Sequence, residues 1–475
     1  MAAERPLYEL FARWATDRPN EAALGEIIGG SIKWSTWDQL AAEVSRWGEL
    51  AAYRSGELTL HQGTNSPVWI FTDLSIAGFG GVHVPLSNNL SRERTAALLQ
   101  CLEGAEENFT PDLFTIVFTS GTGAEPRGVM LSQENLAANA IALSEAVGGS
   151  RQEVRLSFLP FSHLYGRTAD LYTWLVRGSK LVLAESREKI FRDLQLVKPT
   201  AISGVPYFYE KALDIAAQQN CSLPQLFGGQ MKRCYSGGAA MAPAVEAAFT
   251  AAGMPVLSGY GLSEAAPVVT ATRSEEPCDG AIGRPLSGVE VRLADDGELL
   301  VRGPNVMLGY WQDPAATAEV LRDGWLHTGD LATQDDSGRL RIVGRKKELI
   351  ALATGKKVFP SRVEALLCGS PWIEQAAVLG EGEKCLRAVI VPNRERLKAF
   401  IRERRLWVWS KRRAVTHREV RAHYATEIAR CLADAPREEQ IGEFAILDRP
   451  FSIESGELTT KLSLRRNVIA THFPR

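Results

Sequence analysis

The chain is poor in the features that mark several large classes of protein. Its seven cysteines (Cys101, Cys221, Cys234, Cys278, Cys368, Cys385 and Cys431) are odd in number, scattered and without a CxxC pair. That argues against a disulfide framework and against zinc-type spacing, and it points to a reducing compartment. No uninterrupted apolar stretch reaches the roughly 18 residues that a membrane-spanning helix needs. The opening MAAERPLYELFARW carries charges where a secretory signal requires an apolar run. A cytoplasmic location is therefore expected, with at most peripheral contact at the inner face of a membrane. Charge of one sign is lacking too: 54 basic and 56 acidic side chains leave a net charge of −2. Nothing in that balance draws the whole molecule to nucleic acid, and no nucleic-acid partner is expected. Internal repeats and low-complexity tracts are missing, and the sequence is silent on oligomeric state.

What is present reads as a soluble α/β protein. A chain of 475 residues, 45% hydrophobic and 23% charged, is too long for one ordinary core, so two or more domains are expected. EVSRWGELAAYR reads as a helix, and SPVWIFTDLSIAGFGGVHVPLS as a helix followed by a short strand. LFTIVF (113–118) is a buried strand, and Ser132 is a candidate N-cap for the helix in SQENLAANAIALSEAV. RLSFLP, SKLVLA and TAISGVP then alternate with helices such as YFYEKALDIAAQQ, the texture of a sheet with crossovers. From Val289 onward, short runs joined by Asp-Gly and Ser-Gly predict antiparallel hairpins. The last 130 or so residues, with QAAVLG and LRAVIVPN, predict a small α+β domain. The joint is expected near Gly344–Lys347, giving domains 1–343 and 344–475.

One stretch raises a chemical question. FTIVFTSGTGAEPRGVMLS (114–132) runs from a strand into glycine, threonine and serine. Gly123 and Gly128 have Walker spacing, but Val129 and Met130 stand where Lys and Ser or Thr are required. No GxGxxG opens the following helix, so a dinucleotide fingerprint fails as well. An ordinary polar turn explains the composition. So does an anion cradle of backbone N–H groups, with hydroxyls from Thr119, Ser120 and Thr122 and a charge from Arg127.

The second explanation gains from company. FTSGTGAEPRGVMLS resembles the phosphate loop TSGTTGxPKGV of the adenylate-forming superfamily, the acyl-CoA synthetases and their relatives. YGLSEAAPVV resembles that family's YGxTE motif, DGWLHTGDLA its GWxxTGD motif, and GRKKELIALATGKKVFPSRVE its hinge segment, all in family order. LPFSHLYGRTADLY, KPTAISGVPYFYEKAL and LATGKKVFP look most like the long-chain fatty acyl-CoA synthetase branch. The resemblance implies a large N-terminal domain of α/β layers plus a distorted β-barrel, with a small mobile α+β C-terminal domain. It implies ATP-dependent activation of a medium- or long-chain fatty acid to acyl-AMP, then transfer to coenzyme A. ATP, Mg2+ and coenzyme A, or the phosphopantetheine of an acyl carrier protein, are the implied cofactors and partners.

Site roles follow by position. Glu264 and Thr119 match the metal-binding carboxylate and hydroxyl; magnesium takes hard oxygen ligands. Ser120, Gly121, Thr122 and Gly123 match the phosphate loop, with Arg127 in the place of its lysine. Ser263 keeps the hydroxyl of the usual threonine. Tyr260 and Gly261 match the adenine-stacking motif, and Gly237, Gly238 and Ala239 the glycine-rich wall beside it. Asp330 and Arg345 match the ribose ligands, His163 the acyl carboxyl site, Lys347 the hinge and Gly355 the passage of the pantetheine arm. For Glu264, Tyr260, Arg345 and His163, plainer readings as a solvated carboxylate, core packing, a surface ion pair and a structural histidine remain.

The departures are specific. The loop has Gly123 for Thr, Ala124 for Gly and Arg127 for Lys, so one hydroxyl is lost and a point charge becomes a planar fork. The segment before LFTIVF is short for the family, and an edge βα portion is expected to be missing. In the tail, GELTTKLSLRR aligns Ser463 with the family's catalytic lysine and leaves Lys461 two residues earlier. Lys461 or Arg465 could supply that cation. The basic stretch Phe400–Tyr424, with Trp407 and Trp409, fits a solvated helix face, a carrier protein, coenzyme A phosphates or an anionic membrane. An acyl–carrier-protein ligase, an acyl-AMP ligase and a non-catalytic nucleotide- or acyl-binding homologue are the alternatives to a CoA ligase.

Overall fold

The apolar runs are too short for helices, and they pair into sheets. A computed structural model describes residues 5–53, 56–88, 90–102, 110–119, 127–276, 278–452, 454–458 and 464–473. The chain folds as two units, one of residues 1–328 and 334–341, the other of residues 329–333 and 342–475.

In the first unit a nine-stranded sheet has the order Arg284–Pro285, Val268–Ala271, Val256–Gly261, Arg233–Ser236, Ala201–Gly204, Val154–Ser157, Lys180–Leu183, Ala22–Ile28, Ser31–Thr36. Its six inner strands, from Val256–Gly261 to Ala22–Ile28, are parallel, and the outer pairings are antiparallel. A second sheet runs Gly309–Tyr310, Arg127–Ser132, Leu113–Thr119, Val82–Leu86, Leu58–Gln62. Here the expected strand at 113–118 is buried on both faces, as its unbroken apolar run requires. Ser132 caps the next helix, Gln133–Val147, in a reciprocal pair with Asn135. The Asp-Gly turn joins Glu290–Leu293 to Glu298–Arg302 as an antiparallel hairpin, with Gly297 at φ +82°.

Between the two sheets lies a π-helical turn, Arg167–Tyr172, whose six side chains are all buried. Arg167 pairs with Asp73 on the buried helix Pro67–Phe79, and Asp73 also accepts from the Tyr172 hydroxyl (2.9 Å) and His83 Nδ1 (2.7 Å). Burial, only partly opposed by Asp73, holds His83 down at a pKa of about 4, so it is a neutral ring at pH 7.

In the second unit, strands Ile373–Leu379, Leu386–Pro392 and Ile441–Ile446 form one sheet. Val363, Leu367, Val378, Ile390, Val420 and Tyr424 pack on one side of it, and Leu379, Val391, Phe451 and Ile469 on the other. The basic stretch becomes helices Arg394–Glu403, Lys411–Thr416 and Arg418–Cys431. Their apolar faces supply Phe400, Val415 and Tyr424 to the core, whereas Trp407 and Trp409 are exposed.

Candidate active site

Neighbouring parallel strands end at Gly261, Ser236, Gly204, Ser157 and Leu183. The carboxyl ends of the strands in an open α/β sheet are where ligands bind. A cavity of about 660 Å³, its open mouth included, runs back from this edge under the helices that cover the sheet. Gly237, Gly238, Tyr260 and Gly261 line it at the strand ends, and Leu143, Val147, Arg155, Arg177 and Tyr235 line it deeper in.

Two glycines at this edge have clear steric reasons. A Cβ on Gly261 would collide with the Pro267 carbonyl, and one on Gly237 would stand 3.1 Å from the Tyr165 ring. Gly238 adopts φ +84°, open to glycine but costly to other residues.

Immediately after Gly261, the turn Ser263–Ala265 carries Glu264. Glu264 accepts a 2.8 Å hydrogen bond from the Tyr310 hydroxyl, and its carbonyl accepts the Met307 N–H at 2.9 Å. Tyr310 is fixed in turn by strand pairing with Val129 and by its N–H donating to the Thr317 hydroxyl at 2.9 Å. Burial first, and then the Glu264 carboxylate, push the Tyr310 hydroxyl above its usual range, so it stays a donor at any physiological pH. Arg127 lies over the Tyr310 ring at 5.3 Å and stands 3.7 Å from Asp313. Thr119 pairs with Arg127 across the hairpin, its hydroxyl donating to the Arg127 carbonyl at 3.4 Å. Both ends of the glycine loop are thereby joined to the Glu264 turn through Tyr310.

A hard cation with phosphate ligands would find suitable chemistry here, since magnesium is usually held by one or two carboxylates together with substrate phosphates and water, and Glu264 offers a carboxylate. Among the described residues no cluster of three or more His, Cys, Asp or Glu could hold a metal by itself.

Comparison with known proteins fits this geometry. The AMP-binding enzyme family model matches residues 102–311, and that of the AMP-binding enzyme C-terminal domain matches residues 347–474. The long-chain-fatty-acid–CoA ligase FadD15 of Mycobacterium bovis is 30% identical over 427 residues, covering 76% of this chain and 68% of that one. The chain belongs to the AMP-binding enzyme family. The long-chain-fatty-acid–CoA ligase of Escherichia coli O157:H7 is 34% identical over 291 residues, 57% of this chain and 50% of its own. Among solved structures, ATP-bound MatB from Rhodopseudomonas palustris shares the fold, with a TM-score of 0.78 at 22% identity over 98% of both chains.

As a member of the AMP-binding enzyme family, the chain brings several of the expected residues together in its first unit. Thr119, Arg127 and Glu264 form one connected cluster, and Tyr260, Gly261, Gly237 and Gly238 share the cavity wall, with Ser263 in the turn between. Ala239 is exposed beside them. His163 is exposed at the N-cap of a three-residue helix and is not among the residues that line the cavity. Ser120, Gly121, Thr122, Gly123, Lys461 and Ser463 lie outside the described residues.

In the second unit, buried Asp330 and exposed Arg345 form an ion pair at 2.9 Å. Lys347 is exposed in the turn Lys346–Glu348, which Arg466 ties down through Glu348 at 2.8 Å and Glu364 at 2.6 Å. Gly355 has φ +78° with open space around it, so its local need for glycine is backbone conformation, not crowding. Arg465 is exposed, its N–H bonded to the Glu457 carbonyl at 2.7 Å.

Tyr310 and Asp313 were not among the expected residues. Their sequence signal is weak: an aromatic after glycine in MLGYWQDP, 46 residues from its Glu264 partner.

Proposed function

We propose that this protein is an acid–thiol ligase that activates a fatty acid with ATP, forming acyl-AMP and pyrophosphate, and transfers the acyl group to coenzyme A. The observation that carries the reading is the cluster in which Tyr310 links Glu264 to Arg127 and hence to both ends of the glycine loop. The fatty-acid–CoA ligases among its relatives support the same chemistry.

In this reading the acid lies in the cavity, with its carboxylate at the strand ends and its chain pointing inward. Tyr260 stacks on adenine against Gly237, Gly238, Ala239 and Gly261. The loop Thr119, Ser120, Gly121, Thr122, Gly123 holds the phosphates, with Ser263 adding a hydroxyl. Asp330 accepts the ribose hydroxyls and Arg345 reaches the same sugar. Glu264 and Thr119 would hold Mg2+, which when bound neutralises charge on the phosphate oxygens. Arg127 offers a planar, permanently charged fork to the same phosphates, and turning that charge on the developing transition state is worth about 10²–10³ in rate. Lys461 supplies the second cation in place of Ser463. His163 serves the acyl carboxyl end, Lys347 the hinge and Gly355 the thiol's passage. The active parts are residues 1–343 for adenylation and 344–475 for the C-terminal domain.

Acid-dependent exchange of pyrophosphate into ATP tests the first step, and thioester formation with coenzyme A or a carrier protein tests the second. Exchange followed by a carrier-protein thioester but no CoA thioester moves the reading to a carrier-protein ligase. No exchange with any acid removes it.

A further inference from the structure

A pocket for a plain hydrocarbon chain is expected to be apolar to its end. This cavity is not. Its inner part is bordered by Arg155 and Arg177, both almost fully buried. Their donors are already committed: Arg155 to Glu153 (2.8 Å), Asp170 (3.0 Å) and Ser203 (2.9 Å), and Arg177 to Glu153 (2.8 Å), Ser144 (2.9 Å) and the Gly148 carbonyl (2.8 Å). Arg233 adds a third guanidinium 3.9 Å from Glu153, so three cations face the two carboxylates of Glu153 and Asp170.

Among the described residues that line the cavity, the hydroxyls of Tyr165, Tyr235, Ser236 and Thr272 have no hydrogen-bond partner, and of these Tyr235 lies against Arg155. Tyr235 lines the cavity, is 7% exposed, and its hydroxyl has no hydrogen-bond partner. Burial holds the phenol above its usual pKa, so the group is a donor. The Arg155 guanidinium, 5.5 Å from the centre of its ring, favours an electronegative atom beside it. A saturated chain filling the cavity would leave that hydroxyl dry and unpaired, which costs about 1–3 kcal/mol.

We infer that the cavity selects an acid whose chain bears an oxygen, as a hydroxyl or oxo group, toward its far end, and that Tyr235 reads that oxygen by donating a hydrogen bond to it. The inference rests on the cavity being the acyl site of the preceding section.

The test is calorimetric binding to the full chain of decanoate and dodecanoate against their terminally hydroxylated and oxo counterparts, in wild type and Tyr235→Phe. Pyrophosphate exchange is measured on the same acids. The oxygenated acids are expected to bind about tenfold more tightly. Tyr235→Phe, which keeps the ring and its packing, is expected to erase that preference. A melting curve of the variant confirms that it is folded. Exchange with plain acids accompanied by equal or tighter plain-acid binding, or a preference that survives Tyr235→Phe, overturns this inference alone. Absence of both binding and exchange with every acid overturns it together with the ligase reading.

Discussion

Replacing Tyr310 by phenylalanine removes a single oxygen from the protein. The residue still pairs through its backbone with Val129, still donates its N–H to the Thr317 hydroxyl, and still lies under Arg127 at 5.3 Å. The 2.8 Å bond to Glu264 is lost. A hydrogen bond to a charged group contributes about 1.5–3 kcal/mol, and each 1.4 kcal/mol is tenfold in rate, so kcat/KM for pyrophosphate exchange should fall roughly 10- to 100-fold. Folding stability should change little, because Glu264 is half-exposed and water can take the place of the phenol. The measurement pairs exchange kinetics over a range of ATP and magnesium with a thermal melt. Unchanged exchange in the folded variant refutes the idea that Tyr310 sets the Glu264 carboxylate for catalysis. A fall in both exchange and melting temperature would make Tyr310 a structural residue instead.

Three further outcomes are expected. Arg127→Ala should lower exchange by about 10²-fold with no loss of melting temperature, because its pairing with Asp313 is exposed and such pairs contribute little to stability; Arg127→Lys should recover most of the rate. Gly261→Ala should destabilise by about 1–3 kcal/mol and disturb the adenine edge, because its methyl would meet the Pro267 carbonyl; a wild-type urea midpoint and exchange rate would contradict this. His83 gives a pH dependence. Its folded pKa of about 4 lies below the ordinary 6.5, so on acidification the unfolded chain gains a proton that the folded one refuses. Stability from this group is complete above pH 6.5 and is lost as pH falls to about 4, on the order of 3 kcal/mol in all. Urea midpoints of wild type and His83→Asn across that interval should converge at low pH, and parallel curves would refute the assignment.

Much of this was legible in the chain because local chemistry and function agreed there. The strand at 113–119 ends where its apolar run ends, Ser132 caps the helix it precedes, and an Asp-Gly turn makes the hairpin at 290–302. The motif residues Tyr260, Gly261 and Glu264 sit together because one strand and one turn carry them. Two features were not legible, for physical reasons. The Glu264–Tyr310 bond depends on a two-residue strand, Gly309–Tyr310, pairing with Arg127–Ser132, and so short a strand has no periodicity to read. The ionic floor of the cavity was hidden by alternation. In Glu153, Arg155 and Ser157 every second residue is polar, the pattern of a strand with one wet face, yet all three are buried. Their compensating partners, Asp170 and Arg177, lie on other elements and become neighbours only in the folded chain.

The most direct measurement is fatty-acid-dependent exchange of labelled pyrophosphate into ATP, in wild type and Glu264→Gln, with magnesium present. The ligase reading predicts exchange that requires the acid and falls by two orders of magnitude or more in Glu264→Gln. It also predicts a CoA thioester once coenzyme A is added. Wild-type protein that is folded and binds ATP, yet shows no exchange with any acid, contradicts it.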